Sequence, residues 1–388
     1  MAGVTTTAWV AGLTGGTPTP LDFTSQPRDV SEEFQAVSPL DTPFVSRAGG
    51  WESFVVTGRR DHEWVEEDLF KQDLTVSSTT GIAATDGTTL TLNTTDAYRL
   101  FPGMLVKIDT EVIRVSAIAS TTTATIQRGI GGTTAATHAT ASTVKLIGQA
   151  MVEGGDSPYM SNRIRTWFTN YPQFFDLAIQ ISEAAKNQNL YGRSQWDEMT
   201  DNQTKQLAKL LERSAIEGNG AASTINTMNG ILAYLTSANG AYNTSLSSAA
   251  ITEANLYTAI RSILGSVGES NVARTIVCRY FVRQKISGFY ENRIRTELGD
   301  HTGGVRVDAI DTDFGRFELM TVHSWPEDQL AFLNFDKIEL GHMAGMNWQE
   351  KRLAEAGAYT RQTRFGEFTL QVKNPQTMGL ITSISTSS

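Results

Sequence analysis

The stretch QFFDLAIQISEAAKNQNLYGRSQWDEMTDNQTKQLAKLLERSAIE, residues Gln173 to Glu217, decides how the rest of the chain is read. Apolar residues recur along it at helical spacing: Phe174, Leu177, Ala178, Ile181 and Ala185, then Trp196, Met199, Leu207, Leu210, Leu211 and Ala215. That spacing predicts one continuous amphipathic stripe. Pro172 suits a first helical turn, where its missing N–H has no bond to lose, and Gly218-Asn219-Gly220 offers a left-handed stop. Gly192 interrupts the middle, so either one kinked helix or two in series is expected, together ~65 Å long at 1.5 Å per residue. Asp201 stands four before Lys205 and Lys209 three before Glu212, favourable pairs for the polar face. A rod of this kind could equally be the core helix of an enzyme, so the decision passes to its flanks.

Composition narrows the choice. With 388 residues, 40% hydrophobic and 19% charged, the chain is globular and long enough for two or three domains. A formal net charge of -9 argues against a protein that grips nucleic acid, because counterion release needs clustered cations. The longest basic runs are Arg59-Arg60 and Lys351-Arg352. Cys278 is the single cysteine, inside the apolar run Thr275-Ile276-Val277, so no intrachain disulfide can form and a buried, inert thiol is expected. No apolar run reaches the ~18 residues of a membrane span. Met1 to Thr19 carries no positive charge ahead of its short apolar pieces, which is not the pattern of a secretory signal, so an intracellular product is expected.

Met1 to Arg28 is rich in Thr, Gly and Pro without a period. Ser31-Glu32-Glu33-Phe34 can open a short helix. In Ser38-Pro39-Leu40-Asp41-Thr42-Pro43-Phe44 two prolines four apart impose extended or turn geometry, and Leu40 and Phe44 are apolar anchors of a docking strap. From Trp51 the pattern alternates through Phe54 and Val56 into Arg59-Arg60-Asp61-His62-Glu63-Trp64-Val65-Glu66-Glu67-Asp68. Charges of both signs flanking aromatics suit an exposed ribbon that meets a partner.

Between about Ser77 and Gly148 the composition shifts to Thr, Ala and Gly, which marks an inserted β module. Strands are predicted at Thr88 to Asn93, Met104 to Ile108, Glu111 to Ile118, Ala124 to Arg128 and Thr143 to Ile147, with Asp109-Thr110 closing a hairpin. A small barrel or sandwich follows. No helix pattern follows Gly129-Ile130-Gly131-Gly132, so it reads as a turn rather than a phosphate loop. The ribbon thus leaves near Lys71 and resumes near Gln149, running to Phe168 through Glu153-Gly154-Gly155-Asp156.

Past Gly220, Thr227 to Leu232 is a short apolar link. Thr252 caps a helix whose buried face is Leu256, Ile260, Ile263 and Leu264, with Ile251 stapled on Leu256. A strand at Arg274 to Cys278, a helix at Tyr280 to Glu291, a hydrophilic loop through Thr302-Gly303-Gly304, and strands near Val305, Phe317 and Leu330 make an α+β domain. Trp348 to Thr360 is a connector. Alternation in Gly366 to Val372 marks a strand, followed by another near Leu380-Ile381.

The chemistry of enzymes leaves no trace here. His62, His138, His301, His323 and His342 include no pair at metal-ligand spacing. Nucleophile-elbow and Walker-type glycine signatures are missing as well. Asp86-Gly87-Thr88 has the letters of an aspartic-protease signature in the wrong order. Asp308, Asp311 and Asp313 lack the glycine and distal Glu of a calcium loop and read as a solvated turn. No catalytic residue, metal or cofactor is expected.

Arm, proline strap, charged ribbon with an insert, long helix, α+β domain and return strand make an order of elements that resembles the major capsid proteins of tailed bacteriophages, the Hong Kong 97 fold. The residues that carry the match are Ser38 to Phe44 with Trp51, Thr227 to Leu232, and the tail from Trp348 through Leu353-Ala354-Glu355-Ala356-Gly357 to Gly366-Glu367-Phe368-Thr369-Leu370. A branch with a β insertion in the extended loop is the nearest in organisation. The resemblance implies an arm and strap at 1–50, an extended loop at 51–76 and 149–171, a β insertion domain at 77–148 and a spine helix of the peripheral domain at 172–225. An axial domain at 226–340 and a return to the peripheral sheet at 341–388 complete it.

What the resemblance implies for function is a shell subunit, self-assembling into hexamers and pentamers of an icosahedral virion capsid in the host cytoplasm. The shell would enclose double-stranded DNA without reading it, with scaffolding, portal or decoration proteins as further partners and no membrane. Asp41, Phe44, Arg59, Arg60, Glu63, Trp64, Glu66, Glu67 and Asp68 would be inter-subunit contacts. Only about 28 residues precede the strap, so scaffolding would come from elsewhere or be dispensable. Lys-Asn cross-links, for which Lys71 and Asn374 are the nearest pair, are not expected. Two rival readings are a tail or fibre protein built on the Thr-rich module, which leaves the helix unexplained, and an enzyme using a cleft beside the long helix near Asp308.

Overall fold

The computed structural model describes residues 42–49, 54–56, 60–67, 73–77, 81–82, 86–92, 99–151, 153–154, 165–186, 194–222, 225–267, 273–290, 308–354 and 357–386. The arm from Met1 to Asp41, Trp51, Lys71, Gly192, the loop at Thr302-Gly303-Gly304 and the strand near Val305 lie outside the described residues. The contacts divide the chain into two units, Met1–His62 with Asn170–Ser388, and Glu63–Thr169.

The strap's second proline opens a short helix, α1 (Pro43–Arg47), because a proline ring already holds the φ of a first helical turn. Phe44 and Val45 on it are buried. The Phe44 ring lies 6.4 Å from that of Trp325 and 5.8 Å from that of Phe335. A short strand follows, β1 (Phe54–Val56).

β2 (His62–Glu67) and β9 (Arg165–Asn170), which lie in the second unit except for their end residues His62 and Asn170, pair as a two-stranded ribbon. Between them run β3 (Asp73–Thr75), β4 (Thr89–Thr91), β5 (Met104–Ile108), β6 (Glu111–Ile118), β7 (Thr123–Gln127) and β8 (Thr143–Gln149). These six form an antiparallel sheet in the order β3-β8-β5-β6-β7-β4. A bridge between Val76 and Leu92, just past its two edge strands, joins the ends into a small barrel. Register shifts at Leu105/Val106 and Val115/Ala117 supply the local bends that closure needs. Alternate residues point inward: Leu74, Leu90, Val106, Ile108, Ile113, Val115, Ile126 and Val144 are all buried. The Asp109-Thr110 hairpin forms with Asp109 at φ 51°, the left-handed backbone that a short Asx side chain tolerates.

The first unit resumes with β10 (Gln173–Ser182), and here the structure corrects the predicted helix. Phe175, Ile179 and Ile181 are buried while Phe174, Asp176, Ala178 and Gln180 are exposed, which is a period of two. The cause is long-range: β10 pairs antiparallel, residue for residue from Gln173↔Phe368 to Ser182↔Tyr359, with the 14-residue β18 (Tyr359–Val372). A one-turn helix α2 (Glu183–Lys186) ends this run, and the long helix is α3 (Gln195–Glu217). Its buried face, Gln203, Leu207, Ala208, Leu211, Glu212, Ala215 and Ile216, keeps the helical spacing. Gln203 donates from Nε2 to the Leu177 carbonyl, tying helix to strand. Gly218 ends α3 with an extended backbone (φ -54°, ψ 141°), not a left-handed one. Its requirement for glycine is spatial, since a Cβ there would lie 2.5 Å from the Met228 carbonyl oxygen.

One sheet of this unit runs β1-β16-β18-β10, where β16 is Ile338–Met343, and β17 (Gln349–Arg352) also pairs with β18. Part of the expected Trp348 to Thr360 connector is therefore strand. Beyond α3 come α4 (Ile231–Tyr234), β11 (Tyr242–Ser245), α5 (Glu253–Val267), β12 (Thr275–Cys278), α6 (Tyr280–Tyr290), β13 (Ala309–Thr312), β14 (Gly315–Thr321) and β15 (Leu330–Leu333). With β19 (Gly379–Thr382) they build a second sheet, β11-β19-β15-β12-β14-β13. Its core gathers Leu256, Ile260 and Ile263 of α5, Val282 and Ile286 of α6, and Ile276, Phe317 and Phe332 of the strands. Thr252 accepts from the Asn255 N–H at 3.3 Å, the expected cap.

Candidate subunit interface

The charged run from Arg59 to Asp68 lies on the β2–β9 ribbon, and strand alternation sorts its side chains. Trp64 is only 8% exposed: its ring stacks on Phe168 at 5.9 Å and its indole N–H donates to Glu66 at 3.1 Å. On the opposite face Val65 is 41% and Trp167 66% exposed. Glu63 is exposed beside them. Arg60 is exposed too, and its carbonyl accepts from Asn226 Nδ2 at 3.4 Å. Burial pushes the Glu367 carboxyl above its usual range, and the charge of Arg60 pulls it back down.

Two of the predicted contact residues are covered by their own subunit. Phe44 is 0% exposed between Trp325 and Phe335, and most of Trp64 is covered by Phe168, so both side chains pack within their own subunit. Asp41, Arg59 and Asp68 lie outside the described residues, and of Glu67 the backbone alone is described. Sequence reasoning selected the charges of the ribbon and missed its apolar face, Val65 and Trp167. The signal was available in the period of two, which sends Val65 the opposite way from Trp64.

Side chains with chemical potential take structural roles here. Burial pushes the Cys278 thiol up to about 12, with Arg283 opposing, so it is no nucleophile at neutral pH. Asp308 is held by Arg283 at 2.7 Å. Among the described residues no group of three or more His, Cys, Asp or Glu could hold a metal. His138, with no predicted role, lies in a buried polar knot of the barrel. Its Nδ1 meets Asp109 Oδ2 at 2.8 Å and its Nε2 meets Glu111 Oε2 at 2.9 Å. Arg128 donates to both Glu111 oxygens at 2.7 and 2.6 Å, and the Gly129 and Ala136 N–H groups donate at 3.1 and 3.0 Å. Burial pushes the Glu111 carboxyl up, but these donors together outweigh it and hold the group at about 2.

A family model described as the SU10 major capsid protein matches residues 5–385. The chain belongs to the SU10 major capsid protein family. It is a structural component of a bacteriophage virion and not an enzyme, and it assembles with copies of itself. Solved capsids share its Hong Kong 97-like fold at low identity. The capsid of Cyanophage A-1(L) aligns at TM-score 0.55 and 11% identity over 95% of this chain and 100% of its own. A structure of Gordonia phage Cozz aligns at 0.51 and 10%, over 98% and 96%. The capsid of a native GTA particle aligns at 0.50 and 10%, over 93% and 96%. No curated protein matches the chain by sequence.

Proposed function

We propose that this capsid protein builds hexamers and pentamers of an icosahedral shell around double-stranded DNA, assembled in the host cytoplasm, and that the β2–β9 ribbon reaches a neighbouring copy. The observation that carries the ribbon's part is the exposed pair Val65 and Trp167 on a two-stranded element. A two-stranded ribbon is marginal in water by itself. An indole two-thirds exposed gains most when a second surface covers it, and Trp is enriched among the residues that dominate interface energies. Arg59, Arg60, Glu63, Glu66, Glu67 and Asp68, with Asp41 of the strap, would supply the charged rim. A net charge of -9 suits a wall that surrounds packed DNA without holding it fast.

Negative-stain electron microscopy of the purified full-length chain, co-expressed with its genomic neighbours if it is inert alone, tests the reading. Closed polyhedral shells or rings of capsomers are expected; a uniform population of small globular oligomers under all conditions would overturn it. Arg59→Glu with Arg60→Glu should cut the yield of shells by roughly tenfold or more, as like charges now face each other across the contact. Arg60 also acts on Glu367 within its own subunit, so the melting temperature of the variant is measured alongside. Normal shells from a folded double variant would remove the ribbon's charges from the contact.

A further inference from the structure

A cleft of about 550 Å³ opens in the larger unit where α1 meets one face of the second sheet. Strand period and register build its floor. On β14, Phe317 enters the core while Arg316 and Glu318, on either side of it, are exposed on the opposite face. Glu318 stands abreast of Thr275 on β12, Thr275 stands abreast of Leu333 on β15, and all three line the cleft. The walls come from Arg47 of α1 and from Asp336 and Lys337 of the 3-10 turn Phe335–Lys337. With Arg274 these residues set four cations against two carboxylates, in a chain whose net charge is -9.

The charges are not spent on one another. Arg47 bridges Glu318 at 2.7 Å and lies 5.9 Å over the Phe335 ring, which holds that guanidinium in place. Arg274, Arg316 and Lys337 form no ion pair with any described residue. The Arg274 guanidinium lies across Gly315, where a Cβ would come within 2.6 Å of Nη1, so glycine leaves it that position. Thr275 adds a neutral donor: it is 7% exposed, and its hydroxyl has no hydrogen bond to any described residue. A largely buried hydroxyl without a partner costs stability until something completes it.

We propose that the cleft binds phosphate groups in series, as carried by a linear polyphosphate or by the backbone of DNA. The match is one of charge number and geometry. A single carboxylate is satisfied by a single guanidinium, as Glu318 is by Arg47. Two unpaired guanidinium groups and an ammonium beside one opening suit an anion with charged oxygens on several neighbouring centres. Arg takes such oxygens in pairs through its planar N–H fork, and Lys meets them as a point charge. Glu318 and Asp336 oppose the anion, so the site is weaker than its cations alone would make it, and its affinity falls with salt. It does not depend on how copies of the chain meet.

Sodium tripolyphosphate titrated at low salt into unassembled full-length subunits should give saturable heat by calorimetry, at one site per chain. Arg274→Gln with Arg316→Gln should weaken that binding by roughly tenfold or more at an unchanged melting temperature. If this pair does not fold, Lys337→Gln is used and should weaken it several-fold. Glu318→Gln removes an opposing carboxylate, releases Arg47 and should tighten binding several-fold, a gain that misfolding does not produce. A short DNA duplex separates the two sources. Displacement of tripolyphosphate by the duplex, with log K falling against log salt at a slope of about -3 that shrinks to about -1 in the double variant, would assign the site to DNA phosphates. Tripolyphosphate binding that the duplex leaves untouched would assign it to free polyphosphate. No saturable binding of either probe, binding unchanged in a folded cleft variant, or citrate bound as tightly as tripolyphosphate would overturn the proposal.

Discussion

Asn170 shows how much one side chain can hold. Fully buried, it donates from Nδ2 to the carbonyls of Leu370 at 2.6 Å and Asn229 at 3.1 Å, and its Oδ1 accepts from the N–H groups of Tyr171 at 2.8 Å and Asn229 at 2.7 Å. The end of β9, the link after α3 and β18 are thereby fastened at one point. Asn170→Ala leaves those backbone groups unpaired and should cost on the order of 3 kcal/mol, read by denaturant unfolding of unassembled subunits; Asn170→Asp keeps the two acceptor bonds, loses both donors and should also destabilise. Glu111 makes the matching prediction for the barrel. Its carboxyl is held at about 2 in the folded state against an ordinary 4.5, so its contribution is complete above about pH 4.5 and is lost as the pH falls toward 2. A depression of that size is worth roughly 3 kcal/mol. The protection of the amides from Gly129 to His138, taken relative to their intrinsic exchange rates at each pH, should fall across that acid window. Glu111→Gln, which removes the carboxylate that the 8%-exposed Arg128 side chain pairs with, should show weakened protection already at pH 7.

At the scale of elements, the ribbon is the exposed and committed piece. Trp64 stacked on Phe168 stiffens one face, which leaves Val65 and Trp167 displayed on the other. Trp167→Ser removes the largest exposed side chain of that face while leaving the stack in place. It should leave the melting temperature of the subunit nearly unchanged and reduce assembly by roughly tenfold or more, measured as the fraction of protein sedimenting as shells. Assembly at the wild-type level would show that the indole is not covered by a neighbour. The helix α3 behaves differently, because its buried stripe from Gln203 to Ile216 is covered by its own subunit and its energetics belong to folding.

For the whole molecule, much of the architecture was legible because it is written in local periods. The five predicted strands of the barrel appear at or within a few residues of their places, since alternation of Val, Ile and Thr between turn residues needs no distant information. The helix from Gln195 and the capped helix from Glu253 follow equally from spacing and capping. Net charge and the lack of catalytic constellations in the sequence point to a structural protein, and the order of elements resembles the capsid family. The run from Gln173 to Ser182 marks where local information ends. Phe174, Leu177, Ala178 and Ile181 fit a helix, yet Phe175, Leu177, Ile179 and Ile181 fit a strand just as well, and ten backbone pairs with β18, from Ser182↔Tyr359 to Gln173↔Phe368, decide between them. For the same reason sequence could mark Phe44 and Trp64 as anchors without saying against what, and could not find the basic cleft at all. Its arginines come from positions 47, 274 and 316, and only the folding of α1 against the second sheet brings them to one opening. The sequence by itself determined periods, caps, turns and net charge, because these depend on neighbours in the chain. Partner strands, covered faces and the grouping of distant charges were left to the tertiary structure, because they depend on which surfaces meet.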